Sequence, residues 1–209
     1  MKIIKGINKN LGDLILTSRG FESSVGTRIV FNGMKRLRLS MQSRKIMIFS
    51  YPFVGNNYVT GSCMKIGFNK TDIYFYNQHT SPNCIMKMDY IYISAGNTFA
   101  ILQFLKKNVE NFSAIKKAVF KGTNYIGVSA GAMIAGTDIF LASEFDRNDV
   151  LLNDLDGLRL YEGTTIPHYG KKEFKRFKKL IDYKIDGYKY IYSVSDKGCI
   201  LMEGNRPFK

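Results

Sequence analysis

The chain has 209 residues, and its 31 Lys+Arg against 17 Asp+Glu give a formal net charge of +14. At 45% hydrophobic and 13% aromatic it carries enough apolar surface to offset the entropy of ordering, which excludes a disordered chain and fits a single domain over 1–209, with 1–10 a loosely ordered arm. No apolar run approaches the roughly 18 to 20 residues of a membrane span, no signal-peptide pattern follows Met1, and Cys63, Cys84 and Cys199 are too few and scattered for a disulfide framework or zinc ribbon, so a cytoplasmic setting is expected.

Taken in chain order, short β-prone runs alternate with helical ones. Asp13 to Thr17 reads as a strand ending at Ser18-Arg19-Gly20, and Val25 to Met41 as a helix weakened by Gly26 and Gly33. Lys45 to Ser50 is a buried-type strand, Tyr58 to Phe68 a helix, Asp72 to Tyr76 a strand, and Asn83 to Met86 a helical turn. Tyr90 to Ile93 is a strand that stops at Ser94-Ala95-Gly96-Asn97, followed by helices over Thr98 to Lys107 and Ser113 to Phe120. Tyr125 to Val128 is a strand that stops at Ser129, and the acidic stretch Glu144 to Asp156 reads as loop. Tyr190 to Val194 and Cys199 to Met202, joined by Asp196-Lys197-Gly198, predict an antiparallel C-terminal hairpin at a sheet edge. Alternation at this spacing predicts an α/β fold: a three-layer α/β/α sandwich around a mostly parallel sheet.

The positive charge is spread through the chain rather than gathered. Only Lys171 to Lys179 is dense, and Phe174 and Phe177 within it give one buried stripe under a solvated basic face. With no nucleic-acid-binding motif beside it, neither a nucleic acid nor a membrane is expected as partner, and the oligomer is expected to be a monomer or homodimer. Two isolated histidines and three separated cysteines lack ligand spacing, and the glycines form no phosphate-binding fingerprint, so neither a metal nor another cofactor is expected.

The sharpest signal is Gly127-Val128-Ser129-Ala130-Gly131, the Gly-x-Ser-x-Gly pattern at a strand-to-helix junction. In a nucleophile elbow the serine sits on a tight turn above the carboxyl edge of the sheet, and the flanking positions must be glycine because a Cβ would clash. A serine nucleophile needs a base, and the chain offers His79 and His168. His79 lies in a polar turn, whereas His168, in Ile166-Pro167-His168-Tyr169, follows a β-prone run where α/β sites assemble. Ser129 and His168 are therefore the expected nucleophile and base.

Three blocks in order, Tyr92-Ile93-Ser94-Ala95-Gly96-Asn97-Thr98-Phe99, Gly127-Val128-Ser129-Ala130-Gly131-Ala132 and Ile166-Pro167-His168-Tyr169, resemble the peptidase E family of serine peptidases, the aspartyl dipeptidase group related to cyanophycinase. The resemblance spans nearly the whole chain and implies a fold similar to class I glutamine amidotransferases, with Ser129 as nucleophile, His168 as base and the backbone N–H groups of Gly96 and Ala130 as oxyanion hole. Ser94 and Ala95 stand where the family shows two of three glycines. For the third triad member the resemblance implies an acid past the nucleophile helix, where Glu144 fits best by spacing and Asp138 and Asp146 are rivals. It further implies short peptide substrates, with an N-terminal aspartate met by Lys172, among Lys171, Lys172 and Arg176, and by Asn97 and Thr98. Carboxylates of Asn148 to Asp156 are candidates for the substrate's free amine. The competing readings are an esterase-type serine hydrolase, disfavoured by a missing oxyanion motif, and a degenerate member kept as a binding module.

Overall fold

A computed structural model describes residues 2–5, 11–50, 56–170 and 190–204. In chain order these form β1 (Lys2–Lys5), β2 (Leu14–Thr17), α1 (Ser24–Arg36), β3 (Ile46–Phe49), α2 (Asn56–Lys65), β4 (Ile73–Phe75), α3 (Pro82–Met86) and β5 (Tyr90–Ile93). There follow α4 (Thr98–Lys106), α5 (Val109–Phe120), β6 (Asn124–Val128), α6 (Ala130–Ile134), β7 (Thr164–Ile166), β8 (Ile191–Ser193) and β9 (Cys199–Glu203), with short 3-10 turns at Lys70–Asp72 and Phe140–Glu144. The basic segment around Lys171, Lys172 and Arg176 lies outside the described residues.

The main sheet has the order β1-β9-β2-β6-β5-β3-β4. The run from β2 to β4 is parallel throughout, whereas β9 lies antiparallel to β2, and β1 is parallel to β9. Strand residues alternate between two apolar layers, as the two-residue side-chain period requires. Leu14, Leu16, Ile91 and Ile93 face the layer built with α4, α5 and α6, while Ile15, Tyr90 and Tyr92 face the layer built with α1 and α2. Buried on both faces, the central strands read as continuous apolar runs.

Four local outcomes differ from the sequence reading. The first helix stops at Arg36, because Leu37 caps it and Arg38, with φ of 55°, turns the chain away. Its glycines are packing positions: a Cβ on Gly33 would stand 3.1 Å from Leu201 Cδ2 and 3.4 Å from Ile15 Cγ2, so the helix lies close on the sheet. Residues 2–5, read as part of an arm, pair with β9. The C-terminal antiparallel strand is present as β9, but it pairs with β2 (Thr17 opposite Cys199), and β8 joins β7 in a separate two-stranded sheet. This last pairing positions the site. It brings the turn before β9 to the edge of the sheet at which β2 and β6 end.

Candidate active site

Four chain crossings meet at that edge. Ser129 follows β6 directly, with φ of 49° and ψ of −103°, a conformation that costs a non-glycine residue about 1–3 kcal/mol. The turn is held because the Ser129 N–H donates to the Thr17 carbonyl at 2.8 Å, and because two glycines let backbones approach. A Cβ on Gly127 would lie 2.6 Å from the Gly131 carbonyl oxygen, and one on Gly131 would strike the carbonyl of Ile93. The elbow thus presses the start of α6 onto the end of β5, and neither partner is a side chain that can swing aside. Gly131→Ala is expected to cost about 3 kcal/mol, the upper range for overpacking. For a chain of this size that lowers Tm by about 10 °C, read by thermal unfolding.

The serine hydroxyl meets the expected histidine: Ser129 Oγ lies 2.9 Å from His168 Nε2. His168 itself has a φ of 55°, in the left-handed region that non-glycine residues seldom adopt. Its N–H donates to Ser18 Oγ at 2.8 Å, and that buried hydroxyl donates to the Val194 carbonyl at 2.9 Å. The Tyr169 N–H donates to the same carbonyl, and the Val194 N–H to that of Ile166. Ser18 therefore ties the histidine loop to the ends of β2 and β8.

The carboxylate on the other side of the imidazole is Asp196. Its Oδ1 stands 2.6 Å from His168 Nδ1, and its Oδ2 accepts from Arg19 Nη2 at 2.8 Å. Partial burial pushes the Asp196 carboxyl up, but the Arg19 hydrogen bond, the His168 hydrogen bond and the charges of both outweigh it and leave the group below its ordinary value. Ionised Asp196 can only accept, so the imidazole proton belongs on Nδ1 and the Nε2 lone pair faces the serine hydroxyl.

The position expected for Glu144 is thus filled by Asp196, and the physical reason is the β2–β9 pairing. Glu144 ends the 3-10 turn Phe140–Glu144. Asp138, two residues before the turn, accepts from the Phe140 N–H at 2.9 Å. Asp146 accepts from the Thr98 N–H at 2.8 Å and from the Thr98 hydroxyl at 2.6 Å. Its charge thereby sits at the N-terminus of α4, where a carboxylate is favoured.

The same contacts engage Asn97 and Thr98, the two residues expected to face a substrate. Thr98 is 1% exposed and its hydroxyl is given to Asp146. Asn97 is the N-cap of α4, its Oδ1 accepting from the Ala100 N–H at 3.0 Å while Nδ2 donates to the Arg147 carbonyl at 2.9 Å. Both residues hold the loop that carries Gly96. Gly96 has a φ of 151°, whereas Ser94 and Ala95 are absent from the residues with positive φ. The one position in this loop that requires glycine has kept it, so the two substitutions are compatible with the turn.

The aspartates of the acidic stretch are likewise engaged. Asp149 pairs with Arg147 at 3.4 Å, Asp154 with Lys106 at 2.7 Å and Asp156 with Arg159 at 2.9 Å. These pairs strap the segment to α4 and to its neighbours in the chain. Lys172 lies outside the described residues. No helix among the described residues is long and apolar enough to cross a membrane.

An elbow serine, a histidine within hydrogen-bond reach and a carboxylate behind it form a recognisable arrangement, and the peptidase family S51 model matches residues 66–207, which contain all three. The chain belongs to peptidase family S51. Within that family it is 34% identical over 122 residues to an uncharacterized peptidase of Listeria monocytogenes, a match covering 57% of this chain and 59% of that relative. A peptidase E of Shewanella sp. (strain W3-18-1) is 27% identical over 179 residues, covering 80% of this chain and 74% of the relative. A crystal structure from Listeria monocytogenes EGD-e superimposes with a TM-score of 0.67 at 24% identity, over 91% of this chain and 98% of that one, which establishes the shared α/β fold.

Proposed function

We propose that this protein is a serine peptidase that hydrolyses short peptides through Ser129, His168 and Asp196. The observation that carries the reading is the unbroken hydrogen-bond chain from Ser129 Oγ through both imidazole nitrogens to Asp196, built on a strained elbow at the carboxyl edge of a parallel sheet. Ser129 Oγ attacks the scissile carbonyl while His168 Nε2 takes its proton, and Asp196 stabilises the imidazolium so formed. The negative charge moves onto the carbonyl oxygen. We assign its stabilisation to the N–H groups of Ala130 and Gly96. Ala130 is the first residue of α6, so its N–H has no acceptor within the helix. His168 then gives its proton to the leaving amine as the C–N bond breaks. A water, deprotonated by the same nitrogen, releases the acyl group and restores the serine.

The S51 assignment and the peptidase names of the relatives support a peptide as substrate, and the free cysteines Cys63, Cys84 and Cys199 support a cytoplasmic setting. The test is a panel of dipeptides, short acyl esters and unfolded casein assayed with the purified chain. Turnover of dipeptides with little casein cleavage is expected. Turnover of esters alone, or efficient digestion of casein, would overturn the short-peptide reading. Within the panel, Asp-Leu against Ala-Leu measures the aspartyl preference, and equal kcat/KM on the two removes it.

A further inference from the structure

The two N–H groups assigned to the oxyanion are held by different means. Ala130 opens α6 and is fixed by the elbow, whereas Gly96 lies in the loop just before α4. A glycine with φ of 151° sits on a backbone with many other accessible conformations, so its N–H keeps one direction only if its neighbours hold it. What holds it comes from the chain that leaves α6. After the 3-10 turn, whose Ala142 carbonyl accepts from the Asp146 N–H at 2.8 Å, that chain runs along α4 and bonds to its start, middle and end. Asp146 Oδ2 accepts from both the N–H and the hydroxyl of Thr98, and the Arg147 carbonyl accepts from Asn97 Nδ2. Further on, the Val150 carbonyl accepts from Gln103 Nε2 at 3.0 Å and the Asp154 carbonyl from Lys106 Nζ at 3.1 Å. The buried Thr98 hydroxyl also lies 4.0 Å from Met133 Sδ of α6. Thr98 thus touches both the nucleophile helix and the segment that continues it.

We propose that Asp146 is a positioning residue of the oxyanion hole: by holding both donors of Thr98 it fixes the backbone between Gly96 and α4, and with it the direction of the Gly96 N–H. The inference rests on the assignment of that N–H to the oxyanion in the proposed function. One residue, Asn97, separates Gly96 from the helix, and its side chain is bonded at both ends, Oδ1 to the Ala100 N–H and Nδ2 to the Arg147 carbonyl. On the strand side the Ser94 N–H donates to the Phe49 carbonyl at 2.9 Å. The Gly96 peptide is therefore suspended between two fixed points, one made by the sheet and one anchored by Asp146. A donor stabilises an oxyanion only when it stands where the charge develops, so this anchor acts on the transition state rather than on the bound peptide. The task needs an oxygen that accepts twice, which a carboxamide also offers. That requirement separates Asp146 from a triad acid, for which the carboxamide is a poor substitute.

In Asp146→Ala, kcat on a susceptible dipeptide is expected to fall about 100-fold while KM stays near that of the wild type, the pattern of an interaction made only in the transition state. Asp146→Asn keeps the doubly accepting oxygen and is expected to recover most of that loss. In ¹H–¹⁵N spectra of the full chain, the Gly96 amide signal moves in Asp146→Ala and returns toward its wild-type position in Asp146→Asn. Labelling of Ser129 by a fluorophosphonate, whose phosphoryl oxygen enters the same hole, slows in parallel with kcat. Should Asp146→Ala fail to fold, Thr98→Val carries the same comparison, with a lower kcat, an unchanged KM and a moved Gly96 signal expected. An unchanged kcat in folded Asp146→Ala, an Asp146→Asn protein as impaired as Asp146→Ala, or an unmoved Gly96 signal would each overturn the proposal. A wild type that is labelled by the probe yet cleaves no peptide refutes the peptidase reading alone, and the labelling rates of the variants still test the role of Asp146. A wild type that is not labelled refutes the nucleophile, and the Gly96 signal then decides whether Asp146 holds that amide.

Discussion

Replacement of Ser129 by alanine is expected to lower kcat/KM on a susceptible dipeptide by about 10⁴- to 10⁶-fold, leaving the residual rate that oriented donors and binding alone provide. The size follows from what is removed. Without Oγ there is no covalent acyl-enzyme, and His168 is left to activate water from a position set for a serine. The fold is expected to be unaffected, because the strain at this residue lies in its backbone. Its N–H stays bonded to the Thr17 carbonyl, and Gly127 and Gly131 still admit the turn. Circular dichroism and thermal unfolding of the variant should therefore match those of the wild type. Turnover within tenfold of the wild type by a correctly folded Ser129→Ala protein would overturn the serine mechanism, whatever the substrate.

The parts of this site that were legible in the sequence are those fixed by local geometry. Gly127 and Gly131 mark a turn in which neighbouring backbones nearly touch, and a β-prone run before a small-residue helix start places that turn at a strand end. His168 was legible for a similar reason, lying just past the run that forms β7. Asp196 was not, because nothing near it in the chain identifies its partner. Asp-Lys-Gly between two β-prone runs reads as an ordinary hairpin turn, and only the pairing of Thr17 with Cys199 carries it to His168. The available signal was an aspartate in a turn at a strand end. The resemblance points instead to the acids that follow the elbow more closely, Glu144, Asp138 and Asp146. Asn97 and Thr98 illustrate the converse. An Asn-Thr pair before an apolar helix is a capping signature first, and the structure uses it as one.

The acid is best separated from its rivals by amide substitution. Asp196→Asn preserves shape and is expected to lower kcat/KM by about 10³- to 10⁴-fold, whereas Glu144→Gln is expected to stay within a few-fold of the wild type. The argument turns on which end of the new carboxamide faces the imidazole. Asparagine offers one oxygen and one NH₂ where aspartate offered two oxygens. Arg19 can only donate, so it claims the oxygen at the Oδ2 position and leaves the NH₂ against His168 Nδ1. That nitrogen must then accept, the ring proton moves to Nε2, and Nε2 can no longer take the proton of Ser129. Because the cost arises from this competition, it should shrink when Arg19 is also replaced. A glutamine at position 19 can accept as well as donate, which frees the carboxamide oxygen at position 196 to turn toward Nδ1 and restores the working tautomer in part. The double variant Arg19→Gln/Asp196→Asn is accordingly expected to be more active than Asp196→Asn alone, a non-additivity read directly from kcat/KM. A loss in Glu144→Gln equal to that in Asp196→Asn would return the acid to the segment after the elbow. A double variant less active than Asp196→Asn would show that Arg19 does not hold the carboxamide in the unproductive orientation.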